Sequence, residues 1–267
     1  MPLRPTMVRD SVGWSGILTD RYTGSLVARI VFQPIEESSR IFFSKSLSTP
    51  SPNKEKDKEA LKTAVHLLST ILLLFTHFLL LLVTFGPPYL PLATALVLPP
   101  RYRQTSASSI LSAYRFYLPT MAFNGVLEAF FASVCTPADL QDQSRMMAAA
   151  SVSLVVTAIG GSRLVGMGDT ALVWANTMSM AVRALYCWRF VRRYCAARGQ
   201  STLIGWNELL PPMGIVVAFV AAAVCTRWSA AAYADVKLSV LAQRGHVAVG
   251  GVCLVGCLLA WCVPRLV

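Results

Sequence analysis

Polar side chains with binding chemistry interrupt the apolar stretches of this 267-residue chain. In residues 114–132, Asn124 and Glu128 are four positions apart and therefore share one face of a predicted helix. A carboxylate at membrane depth costs roughly 2.5 kcal/mol or more unless it faces protein or water. Pro119 and Gly125 favour a kink and a close helix contact in the same stretch. We expect this helix to line an interior; the alternative is that Glu128 lies near the helix end and snorkels to the membrane surface.

A second polar stripe runs through residues 24–45. Its members recur at spacings of four, three and four, which places them on one helical face: Arg29, Gln33, Glu36 and Arg40. Glu36 and Arg40 have the order that favours an i,i+4 ion pair. The pattern predicts either a buried helix or an amphipathic helix lying on the bilayer. In residues 164–191, Asn176 and Arg183 share one side of a later predicted helix.

The composition indicates a membrane protein, because 55% of the residues are hydrophobic and only 14% are charged. Soluble domains carry about 25% charged residues. The elements that must position the polar residues are predicted to be helices of ~20 residues. The fold class is therefore predicted to be all-α, a polytopic transmembrane bundle of about seven spans. The net charge of +11 is expected to face anionic lipid headgroups, and its even spread excludes nucleic acid as a partner.

Changes in composition along the chain divide it into predicted segments. Residues 1–23 are left unassigned, and residues 24–267 are predicted to form the bundle, interrupted by a polar cytosolic linker at 46–62. Residues 86–100, between two proline pairs, are too short to span and are predicted to be re-entrant or interfacial. Residues 137–145 are predicted to be a polar turn.

Lys and Arg counted on alternate sides of seven spans give eleven against six, which predicts that the richer side, with the C-terminus, lies in the cytosol. The count would invert in part if residues 89–98 spanned the membrane. The eleven are Lys45, Lys54, Lys56, Lys58, Lys62, Arg145, Arg189, Arg192, Arg193, Arg198 and Arg265. The six are Arg101, Arg103, Arg163, Arg227, Lys237 and Arg244.

Catalytic and cofactor signatures are missing from the sequence: it contains no GxSxG, P-loop, GxGxxG or HExxH. We therefore predict no enzymatic activity and no cofactor. His66 and His77 share a face without a third ligand, and the seven cysteines form no CxxC, so no metal site is predicted. A membrane-embedded transferase is the least favoured function. Its nearest candidates for a catalytic carboxylate, Asp139 and Asp142, are interpreted as ordinary polar residues of a loop.

Two segments, VARIVFQPIEESSRIFFSK at 27–45 and FYLPTMAFNGVLEAFF at 116–131, resemble signature segments of the Rft family of endoplasmic-reticulum oligosaccharide-lipid translocation proteins. ANTMSMAVRALY at 175–186 resembles a third. The resemblance implies one bundle, the C-terminal half, of a two-bundle flippase of the multidrug and oligosaccharide-lipid (MOP) superfamily, with a truncated or mispredicted start. It also implies a multi-pass protein of the endoplasmic reticulum membrane.

The implied function is to move a mannose-rich dolichol-pyrophosphate oligosaccharide from the cytosolic to the lumenal leaflet for protein N-glycosylation. The alternative is a non-transporting accessory protein of the same pathway. Expected partners are this lipid, membrane lipids, the missing N-terminal half and the glycosylation machinery.

The polar stripes, with the resemblance, assign substrate binding to eight residues: Arg29, Gln33, Glu36, Arg40, Asn124, Glu128, Asn176 and Arg183. Arginine donates bidentate hydrogen bonds to phosphate, while amides and carboxylates bond sugar hydroxyls. The alternative is that Arg–Glu pairs hold helices together without touching a substrate.

Overall fold

The computed structural model describes residues 28–47, 54–97, 106–200, 203–205, 209–236 and 239–262. The unassigned residues 1–23 lie outside this part. A π-helical turn, Ala28–Phe32, precedes seven α-helices, and no strand occurs in the described ranges. The helices are α1 Gln33–Leu47, α2 Lys54–Val97, α3 Ala107–Val134, α4 Pro137–Arg163, α5 Thr170–Ala197, α6 Met213–Ala232 and α7 Arg244–Cys262. The predicted all-α membrane helix bundle is confirmed.

Four of these helices are long and apolar enough to cross a membrane: Glu55–Leu96 within α2, and α4, α6 and α7. Helices α1, α3 and α5 do not belong to this set, and they carry the site residues predicted above except Arg29, which lies in the π-helical turn. Polar side chains in a bilayer are tolerated where they face protein or water.

Helix α2 runs unbroken through Pro87, Pro88 and Pro91 to Val97. The prediction of a separate, short re-entrant or interfacial segment at 86–100 is therefore wrong for residues 86–97, which continue α2, while 98–100 lie outside the described residues. Each proline removes a backbone donor, but packed neighbours in membrane proteins compensate for that loss. The helix begins at Lys54, inside the stretch predicted as a linker, and residues 48–53 are not described. Its 44 residues are about twice the ~20 residues that cross a bilayer.

The chain divides into two compact units, and helices α2 and α3 contribute to both. The first unit contains described residues 77–97, 106–115, 211–236 and 239–262. Helix α6 packs along α7 in this unit. Ile215 and Phe219 of α6 are buried with Cys257 of α7, and Leu81 and Trp261 pack against them. This apolar core positions the C-terminal half of α2.

A polar contact at the proline segment ties α2, α6 and α7 together. The His246 imidazole is 1% exposed, with Nδ1 2.9 Å from Ser229 Oγ and Nε2 3.3 Å from the Pro88 carbonyl oxygen. The Tyr89 ring stacks on it at 4.3 Å, and the Tyr89 hydroxyl donates to the His246 carbonyl at 2.8 Å. A Cβ at Gly250 would overlap the Tyr89 hydroxyl, so this close approach requires glycine. These contacts stabilise the helix where its prolines weaken it.

The second unit contains described residues 28–47, 54–76, 116–200, 203–205 and 209–210. Its core is aromatic: the Phe43 and Phe130 rings lie 5.2 Å apart and the Phe131 and Phe190 rings 4.6 Å apart. Phe43, Phe130 and Phe131 are fully buried. Aromatic pairs contribute about 0.5–1.5 kcal/mol beyond their buried area. The core thus fixes α3 against both α1 and α5.

Helix α4 begins with a capping box. The Asp139 N–H donates to Thr136 Oγ1 at 3.3 Å, and the Asp139 carboxylate accepts from the Thr136 N–H at 2.9 Å. Pro137 occupies the first helical position, where its missing donor does no harm. The predicted polar turn at 137–145 is therefore wrong, because T-P-A-D is a helix start. The added helical turns bring Gln143 to α3.

Candidate functional site

Four polar side chains from α3, α4 and α5 meet within the second unit, and we call them the polar cluster: Asn124, Glu128, Gln143 and Arg183. Arg183 Nη2 donates to both Glu128 carboxylate oxygens, at 2.9 and 2.8 Å. Asn124 Nδ2 donates to Glu128 Oε2 at 2.9 Å. Gln143 Nε2 donates to Glu128 Oε1 at 3.3 Å. The Glu128 carboxylate is the centre of the cluster and joins three helices.

Partial burial strengthens this ion pair. The Glu128 and Arg183 side chains are only 21% and 24% exposed. Removing one partner of a buried pair typically costs about 3–5 kcal/mol, because the other charge stays buried and unpaired. The four hydrogen bonds also fill the roughly four acceptor positions of a carboxylate. Glu128 therefore has little capacity left for another ligand.

Two atoms of the cluster keep unused hydrogen-bonding capacity. Asn124 is 4% exposed, and its Oδ1 accepts no hydrogen bond from any residue that the structure describes. The buried Arg183 Nε likewise donates to none of them, and Nη1 reaches only Met180 Sδ, at 3.9 Å. A buried polar atom left without a partner costs about 1–3 kcal/mol. A hydroxyl group both accepts and donates, so it matches one free acceptor and one free donor.

Glu36 brings α1 to the same helix. A Cβ built at Gly125, the residue after Asn124, would lie 2.6 Å from Glu36 Oε2. The missing side chain at Gly125 therefore makes room for the Glu36 carboxylate. Arg40 Nη2 donates to Glu36 Oε1 at 3.3 Å, and the two side chains are 54% and 36% exposed. The expected i,i+4 ion pair is present, and it is far more open than the Glu128–Arg183 pair.

The predicted stripe on α1 divides between inward and outward positions. Gln33 is exposed, and its Nε2 donates to Glu37 Oε1 at 3.0 Å. Arg29 lies in the π-helical turn, and its side chain is outside the described part. Pro34 follows this turn and has no N–H for a regular helical bond. Membership of Arg29 in the stripe therefore stays a prediction, while Gln33 and Arg40 are exposed and Glu36 lies against α3.

Asn176 stands apart from these contacts. It is half-buried on α5, seven residues before Arg183 and so on the same face, and it makes no hydrogen bond with a described residue. Of the eight predicted site residues, the structure bonds three together, Asn124, Glu128 and Arg183. Gln143 was missed because it had been placed in a turn. The capping sequence that begins α4 was the signal that would have revealed it.

Within the described ranges, no three His, Cys, Asp or Glu side chains are grouped as metal ligands would be.

Comparisons with known proteins give one consistent family. The family described as Rft protein matches residues 18–265. The Man(5)GlcNAc(2)-PP-dolichol translocation protein RFT1 of Yarrowia lipolytica is 36% identical over 198 residues, or 70% of this chain and 28% of the relative.

Two further relatives have the same name. That of Schizosaccharomyces pombe is 35% identical over 168 residues, or 63% of this chain and 31% of the relative. That of Xenopus tropicalis is 30% identical over 231 residues, or 86% of this chain and 42% of the relative. This chain thus spans less than half the length of these relatives. No solved structure matches it.

Proposed function

Because this chain belongs to the Rft protein family, we propose that it takes part in moving a dolichol-pyrophosphate-linked, mannose-rich oligosaccharide from the cytosolic to the lumenal leaflet of the endoplasmic reticulum membrane. The lipid would then serve protein N-glycosylation. Relatives with 30–36% identity are named as translocation proteins for such a lipid. In this proposal the chain supplies one helix bundle, which rocks against another around a headgroup site near the bilayer midplane. No chemical conversion of the lipid is involved.

The polar cluster is the observation that carries this proposal. A purely structural interior at membrane depth needs no carboxylate, arginine and two amides, since each is costly to bury. The cluster also leaves one buried acceptor, Asn124 Oδ1, and one buried donor, Arg183 Nε. We assign these two atoms to sugar hydroxyls of the substrate.

The pyrophosphate contact is assigned to α1 instead. Arg183 is already bonded to both oxygens of Glu128. Arg40 is 54% exposed and held by a single 3.3 Å contact, so it is free to turn its guanidinium toward phosphate. Arg29, Gln33, Glu36 and Asn176 complete the proposed binding set along α1 and α5. The exposed Arg40 is therefore the residue whose loss best tests phosphate recognition.

A second candidate function is favoured by the closed geometry of the cluster. A fully bonded, charge-neutral Glu128–Arg183 pair joins helices without any substrate. On that reading the protein is a non-transporting accessory factor, which binds the dolichol-linked lipid or organises the glycosylation machinery.

Reconstitution separates the two functions. The chain is inserted into phosphatidylcholine vesicles with a labelled, short-chain dolichyl-pyrophosphate oligomannose, and an added mannosidase reports the fraction in the outer leaflet over time. Translocation predicts complete digestion, at a rate at least tenfold above that of empty vesicles. Saturable lipid binding with digestion stopping at half favours the accessory function.

The binding assignment has its own control. Arg40→Gln is expected to slow translocation at least tenfold. Arg198→Gln is expected to change it less than twofold, because Arg198 is exposed and rests over the Tyr194 ring at 3.5 Å. Equal losses in both variants would argue against phosphate recognition by α1.

A further inference from the structure

A pocket of about 700 Å³ opens between α4 and α5, and none of the polar cluster residues lines it. It combines a basic end with an apolar wall. The lining residues that matter here are Met146, Leu185, Tyr186, Arg189, Arg192 and Arg193. No part of the proposed translocation mechanism uses them.

The three arginines project from one face of α5. Their spacing of three and one places them within about a turn of each other, and all three are exposed. Phe190 and Val191 lie between them in sequence and are buried on the opposite side, where the Phe190 ring packs 4.6 Å from that of Phe131. The aromatic core thus anchors the helix so that its guanidinium groups face the pocket.

These positive charges are poorly compensated. Neither Arg189 nor Arg192 forms an ion pair or hydrogen bond with any residue in the described part of the chain. The carboxylates facing this region belong to α4. Asp139 acts electrostatically on Arg193, and Asp142 is paired with Arg145 at 3.3 Å. The pocket therefore keeps an excess of positive charge beside apolar side chains.

We propose that this pocket binds the headgroup of an anionic phospholipid in the cytosolic leaflet. The predicted seven-span topology puts Arg189, Arg192 and Arg193 on the cytosolic side. That leaflet contains the anionic lipids, and basic pockets between transmembrane helices on that side bind their headgroups. Guanidinium groups donate bidentate hydrogen bonds to phosphate, while Met146 and Leu185 offer apolar surface to the first acyl carbons. The lipid is a resident ligand and is not the transported one.

Binding is measured on the whole chain in dodecyl maltoside micelles, by fluorescence anisotropy of labelled phosphatidylinositol. We expect saturable binding that weakens at least tenfold in the triple variant Arg189→Gln, Arg192→Gln, Arg193→Gln. The control triple variant, Arg163→Gln, Arg227→Gln, Arg244→Gln, removes the same charge from exposed residues outside the pocket. It is expected to change the Kd less than twofold.

A second variant keeps every charge. Leu185→Trp fills the apolar wall and is expected to weaken binding at least fivefold while circular dichroism shows unchanged helicity. Unchanged affinity in this variant overturns the proposal, and so do equal losses in the two triple variants, which would indicate diffuse charge attraction.

Competitors identify the occupant. Unlabelled phosphatidylinositol is expected to displace the probe, and phosphatidylcholine and inorganic phosphate at the same concentrations are not. Displacement by inorganic phosphate would indicate a free-anion site and would refute a lipid site. Displacement by a short polyprenyl pyrophosphate at lower concentration than phosphatidylinositol would assign the pocket to the transported lipid, and this too would refute the proposal. Because translocation is not measured, failure here leaves the proposed function standing.

Discussion

The buried ion pair of the polar cluster makes a quantitative prediction about stability. Glu128→Gln preserves shape but leaves the Arg183 guanidinium, only 24% exposed, without its counterion. Loss of one partner from a fully buried pair costs about 3–5 kcal/mol, which sets the upper limit for this partly buried pair. For a chain of this size each kcal/mol lowers Tm by about 2–4 °C, so we expect a fall of up to roughly 20 °C.

The chain contains a matched control on its surface. Asp142 and Arg145 form an ion pair at 3.3 Å, but their side chains are 65% and 72% exposed. Exposed pairs contribute about 0–1 kcal/mol, because water and side-chain entropy oppose them. Asp142→Asn should therefore lower Tm by less than about 4 °C.

Both effects are measured by thermal unfolding in micelles, followed by circular dichroism at 222 nm. For each ion pair, the two single variants and the double variant form a double-mutant cycle. The double variant Glu128→Gln/Arg183→Gln removes both charges, so we expect it to be more stable than either single variant. The expected coupling energy is at least ~2 kcal/mol, within the range for residues in direct contact. A Tm change in Glu128→Gln no larger than that in Asp142→Asn would refute the inference that the cluster is buried and clamps three helices.

Two further substitutions test close contacts by the same melting assay. Gly125→Ala gains about 1 kcal/mol of helix propensity but displaces the Glu36 carboxylate, so we expect little net change alone and clear stabilisation in a Glu36→Ala background. Equal effects in both backgrounds would show that the two residues do not meet. His246→Phe keeps the ring but removes the contacts of both ring nitrogens, and at ~1 kcal/mol each we expect a loss of about 2 kcal/mol. Val247→Ala on the exposed neighbour is the control, and a comparable loss there would contradict the role of the imidazole.

The inward face of α3 could be predicted from the sequence, because it follows from helical periodicity and from the energetic cost of a carboxylate in the membrane. Asn124 and Glu128 share a helical face by their spacing, and the cost of a carboxylate at membrane depth requires a partner. The identity of that partner could not be predicted. Arg183 is 55 residues away, and several other arginines were equally available until packing brought α5 against α3.

The errors arose where tertiary contacts override a local rule. Prolines usually end helices, yet α2 continues through three of them, where Tyr89 within the proline segment stacks on His246 of α7. At α4 the local sequence signal for a helix start agrees with the structure. Thr136 and Asp139 form a capping box, and recognising it would have extended the helix and placed Gln143 near Glu128.

Charge compensation also limits which part of a substrate the polar cluster can bind. A phosphate approaching Arg183 must displace Glu128, which would leave a buried carboxylate unpaired at a cost of about 3–5 kcal/mol. One charge-assisted hydrogen bond returns only about 1.5–3 kcal/mol. A neutral hydroxyl carries no charge that must displace Glu128, and Asn124 Oδ1 and Arg183 Nε are the atoms of the cluster without a hydrogen-bond partner among the described residues. Within the proposed function, the cluster therefore suits the sugar part of the substrate, and the phosphates require an arginine as exposed as Arg40.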